Sequence, residues 1–542
     1  MRRKITFGFL KNEWKEILLL TLCALISIII SILFIKKSQI IDGDTVWYID
    51  VARNLANGKG FVYNYTTFDR EELLRPLSEW MPLYPIFIFI LIKFGFDHTF
   101  SARLIPLAFL PLIIFSTYYM AKRIYEKKVA IMSAIFLSFS YPLCIIGHLP
   151  LADSMFSFFA ISSMLLLSKI ITDEIKFSEL FTAGAFIGLS YLTKGNGLIL
   201  IAVAFFLLYF MSSSASIALK RFLVLLGGFF VLSGAWLIRN QITFGFPLYY
   251  GQFEFRLPSF NAFADVLSIA FFDNLPLILF LPYIVSYMPD NTERRKILFL
   301  ISFPAAFLLF FTFWSAHCTR LLFPSYPFLI ILSTKSFCGM FERIANIKGN
   351  TTFLFGISIA IIIIAQLILI CNYYNKLPAT DYGDEKWAEW IRSNTDVDDV
   401  IITNEPARVR YLTWRYCVAT DAFTLHREDV KLIIPHSFNL TELTKVVNYY
   451  KELYIIARTG AIRHLNISTL PMTVRNLNAE YIALFKKKVK SKERNGEFIY
   501  NLSRAINVPE CLDVMYNDEE VIIYRIKADK LKFSVLSTSS LV

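Results

Sequence analysis

The chain has 542 residues, of which 56% are hydrophobic and 18% charged, a composition too apolar for an ordinary soluble enzyme and typical of a polytopic membrane protein. Its formal net charge of +12 sits in short Lys/Arg clusters between apolar runs, as the positive-inside bias requires, so nucleic acid is not expected as a partner. The seven cysteines show neither a CxxC pair nor His/Cys ligand spacing, which argues against a zinc site or a disulfide framework.

The first apolar run, Ile17 to Ile35, is long enough to cross a hydrocarbon core of about 30 Å and lacks the small-residue pattern of a cleaved signal, so it reads as a span. A polar stretch with Asp42 and Asp44 follows at once. There the sequence predicts a helix that begins at Thr45 with Asp44 as its cap. The 3.6-residue period then puts Asp44, Tyr48 and Ala52 on one face, and Gly58 and Gly60 end the helix.

Eleven further apolar segments follow, at about 82–96, 101–121, 129–147, 152–170, 177–193, 195–211, 222–238, 274–288, 297–314, 321–337 and 353–373. The segment at 82–96 is short and opens with Pro82 and Pro85, which suits an interfacial or re-entrant helix. Charge supports leaving it out. Without it, Lys122, Arg123, Lys127, Lys128, Lys220, Arg221, Arg294, Arg295, Lys296, Arg343 and Lys348 all fall on the side of the N-terminal "MRRK", the expected cytoplasmic side. Eleven spans then place the C-terminus outside. The expected division is a membrane module over 1–373, with a first outer loop at 36–100, and an extracytoplasmic domain over 374–542.

That last region reads as mixed α/β. "EKWAEWIRSN" and "TELTKVVNYYK" have helical periodicity, "DDVIITNEP", "VKLIIP" and "ELYIIAR" read as short buried strands, and the turn residues before "VIIYRI" predict a closing hairpin. It contains no GxGxxG and no P-loop. Its cysteines, Cys417 and Cys511, either pair or stay as free buried thiols.

The eleven-span alternation gathers a polar set on the outer side: Asp42, Asp44, Asp153 in "HLPLADSMF", Lys194 in the turn "LTKGNG", Arg239 in "WLIRN", and His317 and Arg320 in "AHCTRLLFPSYP". A single basic residue at a span end is explained by a snorkelling side chain. Four of them with three carboxylates, against the positive-inside bias, call for an anion. A transferase acting on a lipid-phosphate-linked group fits: cations hold the phosphate, a carboxylate takes a proton from the acceptor hydroxyl, and the lipid tail stays in the bilayer.

The pattern D-x3-Y-x3-A-x2-L-x2-G in "DTVWYIDVARNLANG", followed by "WMPLYP" at 80–85, resembles the first outer loop of the GT-C fold glycosyltransferases that draw sugars from polyprenyl phosphates. Among them are the protein O-mannosyltransferases and the lipid A aminoarabinose transferase. "LADSMFSFF", "YLTKGNGLIL", "AWLIRNQITFGFPLYY", "TRLLFPSYPFL" and "VIITNEPARVRYLTWR" match in the same order. The resemblance implies a GT-C-like α-helical membrane protein of about eleven spans plus interfacial helices. It makes Asp44 the catalytic carboxylate and Asp153 a second acid near the reaction centre. Lys194 and Arg320, with Arg239 as a third, are implied to bind the donor phosphate. Asp42, Tyr48, Glu79 and His317 are further candidates. The chain departs from the pattern in having Thr45 where an acid often follows the first Asp, and "EWMP" in place of a Glu-Lys-Pro-Pro stretch; it also lacks a WWD motif, unlike an oligosaccharyltransferase.

The expected function is an inverting transfer of a monosaccharide from a polyprenyl-phosphate donor to a hydroxyl of a protein, lipid or surface glycan, at the membrane's outer face. No cofactor is expected, and a divalent metal, though compatible, is not called for. The alternatives are a flippase or transporter of lipid-linked sugars, whose paired repeats are not seen here, and a membrane-anchored binding protein, which would not need the outer polar set.

Overall fold

The computed structural model describes residues 7–38, 43–63, 65–67, 75–78, 80–248, 259–314, 316–348, 352–377, 386–396, 400–403, 406–419, 479–485, 512–517 and 521–526. Asp42, Glu79, Cys511, the side chain of Cys417 and the segments "VKLIIP", "TELTKVVNYYK" and "ELYIIAR" lie outside what is described. Two compact units emerge, the first from 1–45, 78–242 and 246–380, the second from 46–77, 243–245 and 381–542. Val46–Leu77, in the first loop, thus folds with the C-terminal unit.

The first unit is helical. Its helices are α1 (Phe7–Lys37), the start of α2 (Gly43–Ala56), α3 (Leu83–Lys93), α4 (His98–Ile124), α5 (Lys127–Ser138), α6 (Tyr141–His148), α7 (Asp153–Leu167), α8 (Phe177–Thr193), α9 (Ile199–Met211), α10 (Ala215–Phe244), α11 (Phe260–Asp273), α12 (Asn291–Phe311), α13 (Thr319–Leu322), α14 (Tyr326–Lys348) and α15 (Thr352–Lys376). Among the described residues, six helices are long and apolar enough to cross a membrane, and two bent pairs, α5 with α6 and α11 with Leu277–Tyr287, bring the number to eight. The other three expected spans are α8, α9 and α12, which are shorter or begin in a charged turn. Helix α3 has 11 residues and rises only about 16 Å, too little to cross.

Polar pairs mark two opposite ends of this unit. At one end Glu16 near the start of α1 pairs with Lys122 at the end of α4 and Lys127 at the start of α5, and Lys128 pairs with Glu342 near the end of α14. Arg295 in the first turn of α12 donates to the carbonyls of Ile170 and Met211, beyond α7 and at the end of α9, and Arg221 of α10 pairs with Asp173. Lys296 lies over the Tyr125 ring and joins these groups. At the other end Asp44, Asp153, Lys194 and Arg320 meet. Helix α7 and the turn after it, Asp153–Thr172, run from one set to the other over 20 residues, or about 30 Å.

Helices α8 and α10 touch backbone to backbone. A Cβ on Gly184 would come within 1.9 Å of the Leu225 carbonyl oxygen, and one on Gly228 within 1.9 Å of the Phe181 oxygen. Gly184 and Gly188 have the small-xxx-small spacing that permits such an approach in a membrane. Phe303, Phe307 and Phe311 of α12 line the core with Phe156 and Phe328.

The second unit is mixed α/β. Its elements are the rest of α2, β1 (Val62–Tyr63), β2 (Tyr65–Thr67), β3 (Arg75–Pro76), α16 (Lys386–Asn394), β4 (Val400–Thr403), α17 (Pro406–Thr413), β5 (Tyr416–Ala419), β6 (Ala479–Phe485), β7 (Leu512–Asn517) and β8 (Val521–Ile526). Strands β1 and β3 form a small antiparallel pair. The main sheet has the order β2-β5-β4-β6-β8-β7; β2, β5, β4 and β6 run parallel, and β8 and β7 form the expected antiparallel hairpin. Trp387, Ala388 and Ile391 of α16, Ile401 of β4, and Val409 and Leu412 of α17 make its core. A buried ion pair ties the first-loop helix to this core, with Arg410 donating to Asp50 through Nη2 at 2.6 Å and Nε at 3.1 Å. Arg415 binds the carbonyls of Arg392, Thr395 and Thr413, joining α16 to α17.

Helix α2 begins at Gly43, two residues before the expected start, so Asp44 lies inside its first turn instead of capping it. Helix boundaries shift by this much because one turn of backbone bonds forms wherever the flanking chain permits. The carboxylate still sits favourably at the positive end of the helix dipole. The predicted exit is present: Gly58 has φ +75°, and the amides of Gly58 and Lys59 bond back to Leu55 and Asn54, the Schellman pattern that favours glycine.

The α8–α10 contact carries a test. Gly184→Ala or Gly228→Ala must push two backbones apart, an overpacking cost of about 1–3 kcal/mol, and should lower the unfolding temperature in detergent. Gly234→Ala, on α10 with nothing within 4 Å of its added Cβ, should be neutral or slightly stabilising. Equal effects at all three sites would refute the contact.

Candidate active site

Four charged side chains meet at one end of the first unit. Lys194 Nζ donates to Asp153 Oδ1 at 2.6 Å, Arg320 Nη2 donates to Asp44 Oδ2 at 3.0 Å, and Arg320 Nη1 lies 3.8 Å from Asp153 Oδ2. Arg320 thus bridges two carboxylates contributed from positions 109 residues apart in the sequence. The charges sum to zero, which is how an apolar surround tolerates them, since an unmatched buried ion costs several kcal/mol. Exposure is graded. The Asp153 side chain is 4% exposed, Lys194 19%, Arg320 23% and Asp44 32%, so Asp44 is the carboxylate that incoming molecules reach most easily.

Local sequence explains each position. Asp153 is the first residue of α7, where the helix dipole favours a negative charge. Lys194 ends α8 in extended backbone, and the chain turns at once into a short 3-10 segment, Gly195–Leu198. That turn folds so closely on α8 that a Cβ on Gly197 would meet the Tyr191 amide nitrogen at 2.5 Å, so glycine is required for Lys194 to stand where it does. Arg320 sits on α13, a four-residue helix that leads through Phe323–Ser325 into α14. Thr45, next to Asp44, donates to the Pro150 carbonyl at 3.1 Å, which fastens the start of α2 to the loop that precedes Asp153.

Tyr84, in the "LYP" of α3, is fully buried and donates to the Ala102 carbonyl at 2.7 Å. Burial, with the Asp153 charge adding to it, pushes its hydroxyl well above the ordinary tyrosine range. It stays a donor at any physiological pH.

The remaining sequence candidates are placed as follows. Arg239 lies over the Trp236 ring at 4.5 Å and donates to Asn240 Oδ1 at 2.9 Å. His317 faces the Phe311 carbonyl at 2.9 Å with Nε2 and Asp265 at 3.8 Å with Nδ1. Tyr48 is buried at 5% exposure in the second unit, one turn along α2 from Asp44. Asp42 and Glu79 fall outside the described residues.

Sequence reasoning missed Asp273. It is the last residue of α11 and is buried; its Oδ1 accepts from Thr319 Oγ1 at 3.2 Å and its Oδ2 from Tyr326 Oη at 2.6 Å. The only signal was a lone acid, "FFDNLP", at the edge of an apolar run.

Residues 76–238 match the family model described as dolichyl-phosphate-mannose-protein mannosyltransferase. The fold resembles that of ArnT from Cupriavidus metallidurans bound to undecaprenyl phosphate, with a TM-score of 0.62 at 12% identity over 93% of this chain and 97% of that one. It also resembles the archaeal oligosaccharyltransferase AglB from Archaeoglobus fulgidus in complex with an inhibitory peptide and a dolichol-phosphate, with a TM-score of 0.57 at 12% identity over 90% and 72% of the two chains. A third similar structure is the mycobacterial arabinofuranosyltransferase AftD, with a TM-score of 0.55 at 13% identity over 94% of this chain and 40% of that one. Comparison with curated protein sequences gave no match.

The Asp153–Lys194 bond sets a measurable coupling. Because both groups are largely buried, a thermal-unfolding cycle of Asp153→Asn, Lys194→Met and the double variant should give an interaction of about 0.5–3 kcal/mol, the double variant being less damaged than the sum of the singles. Strict additivity would mean that the two charges do not depend on each other.

Proposed function

Proceeding from a chain that has the GT-C fold, as a multi-pass membrane protein, we propose that this protein is an inverting glycosyltransferase that takes a monosaccharide from a polyprenyl-phosphate donor. The observation that carries the reading is the cluster in which Arg320 joins Asp44 to Asp153 and Lys194 at one end of the helical unit. Two cations at a span end suit a lipid phosphate whose tail remains among the helices, and the more exposed carboxylate, Asp44, suits a base. Similar structures with undecaprenyl phosphate and dolichol-phosphate bound support a donor of this class.

The reaction is a single displacement. Asp44 takes the proton of the acceptor hydroxyl, the acceptor oxygen bonds to the anomeric carbon, and the carbon–oxygen bond to the phosphate breaks with its electron pair. Polyprenyl phosphate leaves. Arg320 and Lys194 meet the charge that grows on it, an interaction that lowers the barrier to the extent that it strengthens in the transition state. When a phosphate binds, Arg320 exchanges part of its bond to Asp44 for the donor, and the freed carboxylate becomes available as base. Asp153 stays paired with Lys194 and fixes its position. The acceptor is a hydroxyl of a protein, lipid or surface glycan.

We read the cluster's end of the first unit as outside the cytoplasm, since the opposite end carries Lys122, Lys127, Lys128, Arg221, Arg295 and Lys296 and basic residues favour the cytoplasmic side. The C-terminal unit is then extracytoplasmic. A divalent metal is not part of the reading, because Asp44 and Asp153 are each already matched by a cation and a monophosphate leaving group carries less charge than a diphosphate.

A membrane fraction supplied with labelled polyprenyl-phosphate sugars gives the decisive assay. Asp44→Asn should fold and insert normally yet lose turnover by about a hundredfold or more, and activity should survive exhaustive chelation. If Asp44→Asn retains turnover within a few-fold, Asp44 is not the base; if magnesium or manganese is needed to restore a chelated sample, the carboxylates bind metal. Sidedness is tested separately with a reporter active only outside the cytoplasm. Fused after Val542 it should be active, and an inactive fusion with normal expression would invert the orientation.

A further inference from the structure

We propose that Asp273 is the positioning residue for Arg320, fixing the short helix that presents the guanidinium; the proposal rests on the reading of Arg320 as a donor-phosphate ligand. The carboxylate stands where local physics disfavours it. It ends α11, at the negative pole of the helix dipole, it is 7% exposed, and no lysine, arginine or histidine among the described residues forms an ion pair with it. A rule broken in this way without local gain marks a site where the residue serves its surroundings.

Its two oxygens bracket one stretch of chain. Oδ1 accepts from Thr319, the first residue of α13, and Oδ2 from Tyr326, the first residue of α14. Between them lie Arg320 and the 3-10 turn Phe323–Ser325. A four-residue helix has no stability of its own in isolation, so the direction of the Arg320 side chain is set by what holds the stretch from Thr319 to Tyr326. Asp273 is held in turn, since its carbonyl accepts from Gln366 Nε2 at 3.1 Å and Gln366 Oε1 accepts from the Tyr141 amide at 2.8 Å. The chain of contacts therefore runs from α15 and α6 through Asp273 to the arginine. Arg320 must face Asp44 and lie near Asp153 at once, and a guanidinium that binds two oxygens tolerates little rotation.

The test uses the purified full chain in detergent and undecaprenyl phosphate as the probe. Asp273→Asn keeps the shape but offers only one acceptor oxygen, so it should weaken binding of the probe by roughly threefold to tenfold, the scale of losing one hydrogen bond. Tyr326→Phe should produce part of the same loss. The distinguishing readout is non-additivity: in an Arg320→Ala background, Asp273→Asn should weaken binding by less than about twofold more, because no guanidinium remains to be aimed. A loss that adds in full to that of Arg320→Ala, or binding unchanged by Asp273→Asn while Arg320→Ala weakens it, overturns the positioning role. If Arg320→Ala itself leaves probe binding unchanged, it is the phosphate assignment that fails, and the two failures are thereby told apart.

Discussion

A carboxylate in an apolar surround must be matched, and the arrangement of the first unit follows from how Asp153 is matched. Its 4% exposure removes water as a partner, and the unit supplies Lys194 from the end of α8 and Arg320 from α13. Each needed its own backbone device. The lysine depends on a turn that only glycine completes at position 197, and the arginine sits on a four-residue helix whose first residue, Thr319, donates to Asp273. Neither is a feature of helix packing as such, and both would be superfluous in a bundle that had only to fill a bilayer. The pairing also decides reactivity. Asp153 is 4% exposed and Asp44 32%, so two chemically identical groups are made unequal in how far they can be reached from outside.

Much of this was legible in the sequence, and the boundary of legibility is physical. Asp44, Asp153, Lys194 and Arg320 were legible because charged residues at the ends of apolar runs are few, and alternation of the runs assigns each to an end. Their partners were not, since Asp44 meets a residue 276 positions away and nothing in one sequence encodes that distance. Arg239 and His317 met the same end-of-span criterion, yet the contacts of each that are known are with Trp236 and Asn240, or with Phe311 and Asp265. An end of a span is a plane, not a point. Asp273 escaped because a lone acid between apolar segments has the pattern of a linker, and its value appears only once Thr319 and Tyr326 are folded onto it.

The fold shows the same division. Long apolar runs and the strands "VIIT" and "VIIYRI" were readable from periodicity and β-branched content, as was the closing hairpin. The start of α2 was misplaced by two residues, within the latitude of a helix end. Strand β2 has three residues, "YTT", too few for any period to show, and it is recognised only by its partner. Arg410 and Arg415 lie in the tail motif "VIITNEPARVRYLTWR", and the second unit gives that motif a structural reason: one arginine neutralises the buried Asp50, and the other gathers carbonyls from the ends of two helices.

Strand β2 also has a bearing on how the protein is made. It forms the parallel edge of the main sheet, where Tyr65 stands opposite Cys417, and some 350 residues separate the two in the chain. Translation at about 5–20 residues per second puts the emergence of the second strand roughly 20–70 seconds after the first. Throughout that interval the first-loop segment exists without the neighbour that satisfies its amides, while helix after helix is threaded into the membrane. The main sheet therefore joins an early part of the chain to a much later one, and ribosomal pausing or early release between the two would leave a strand edge open to other chains.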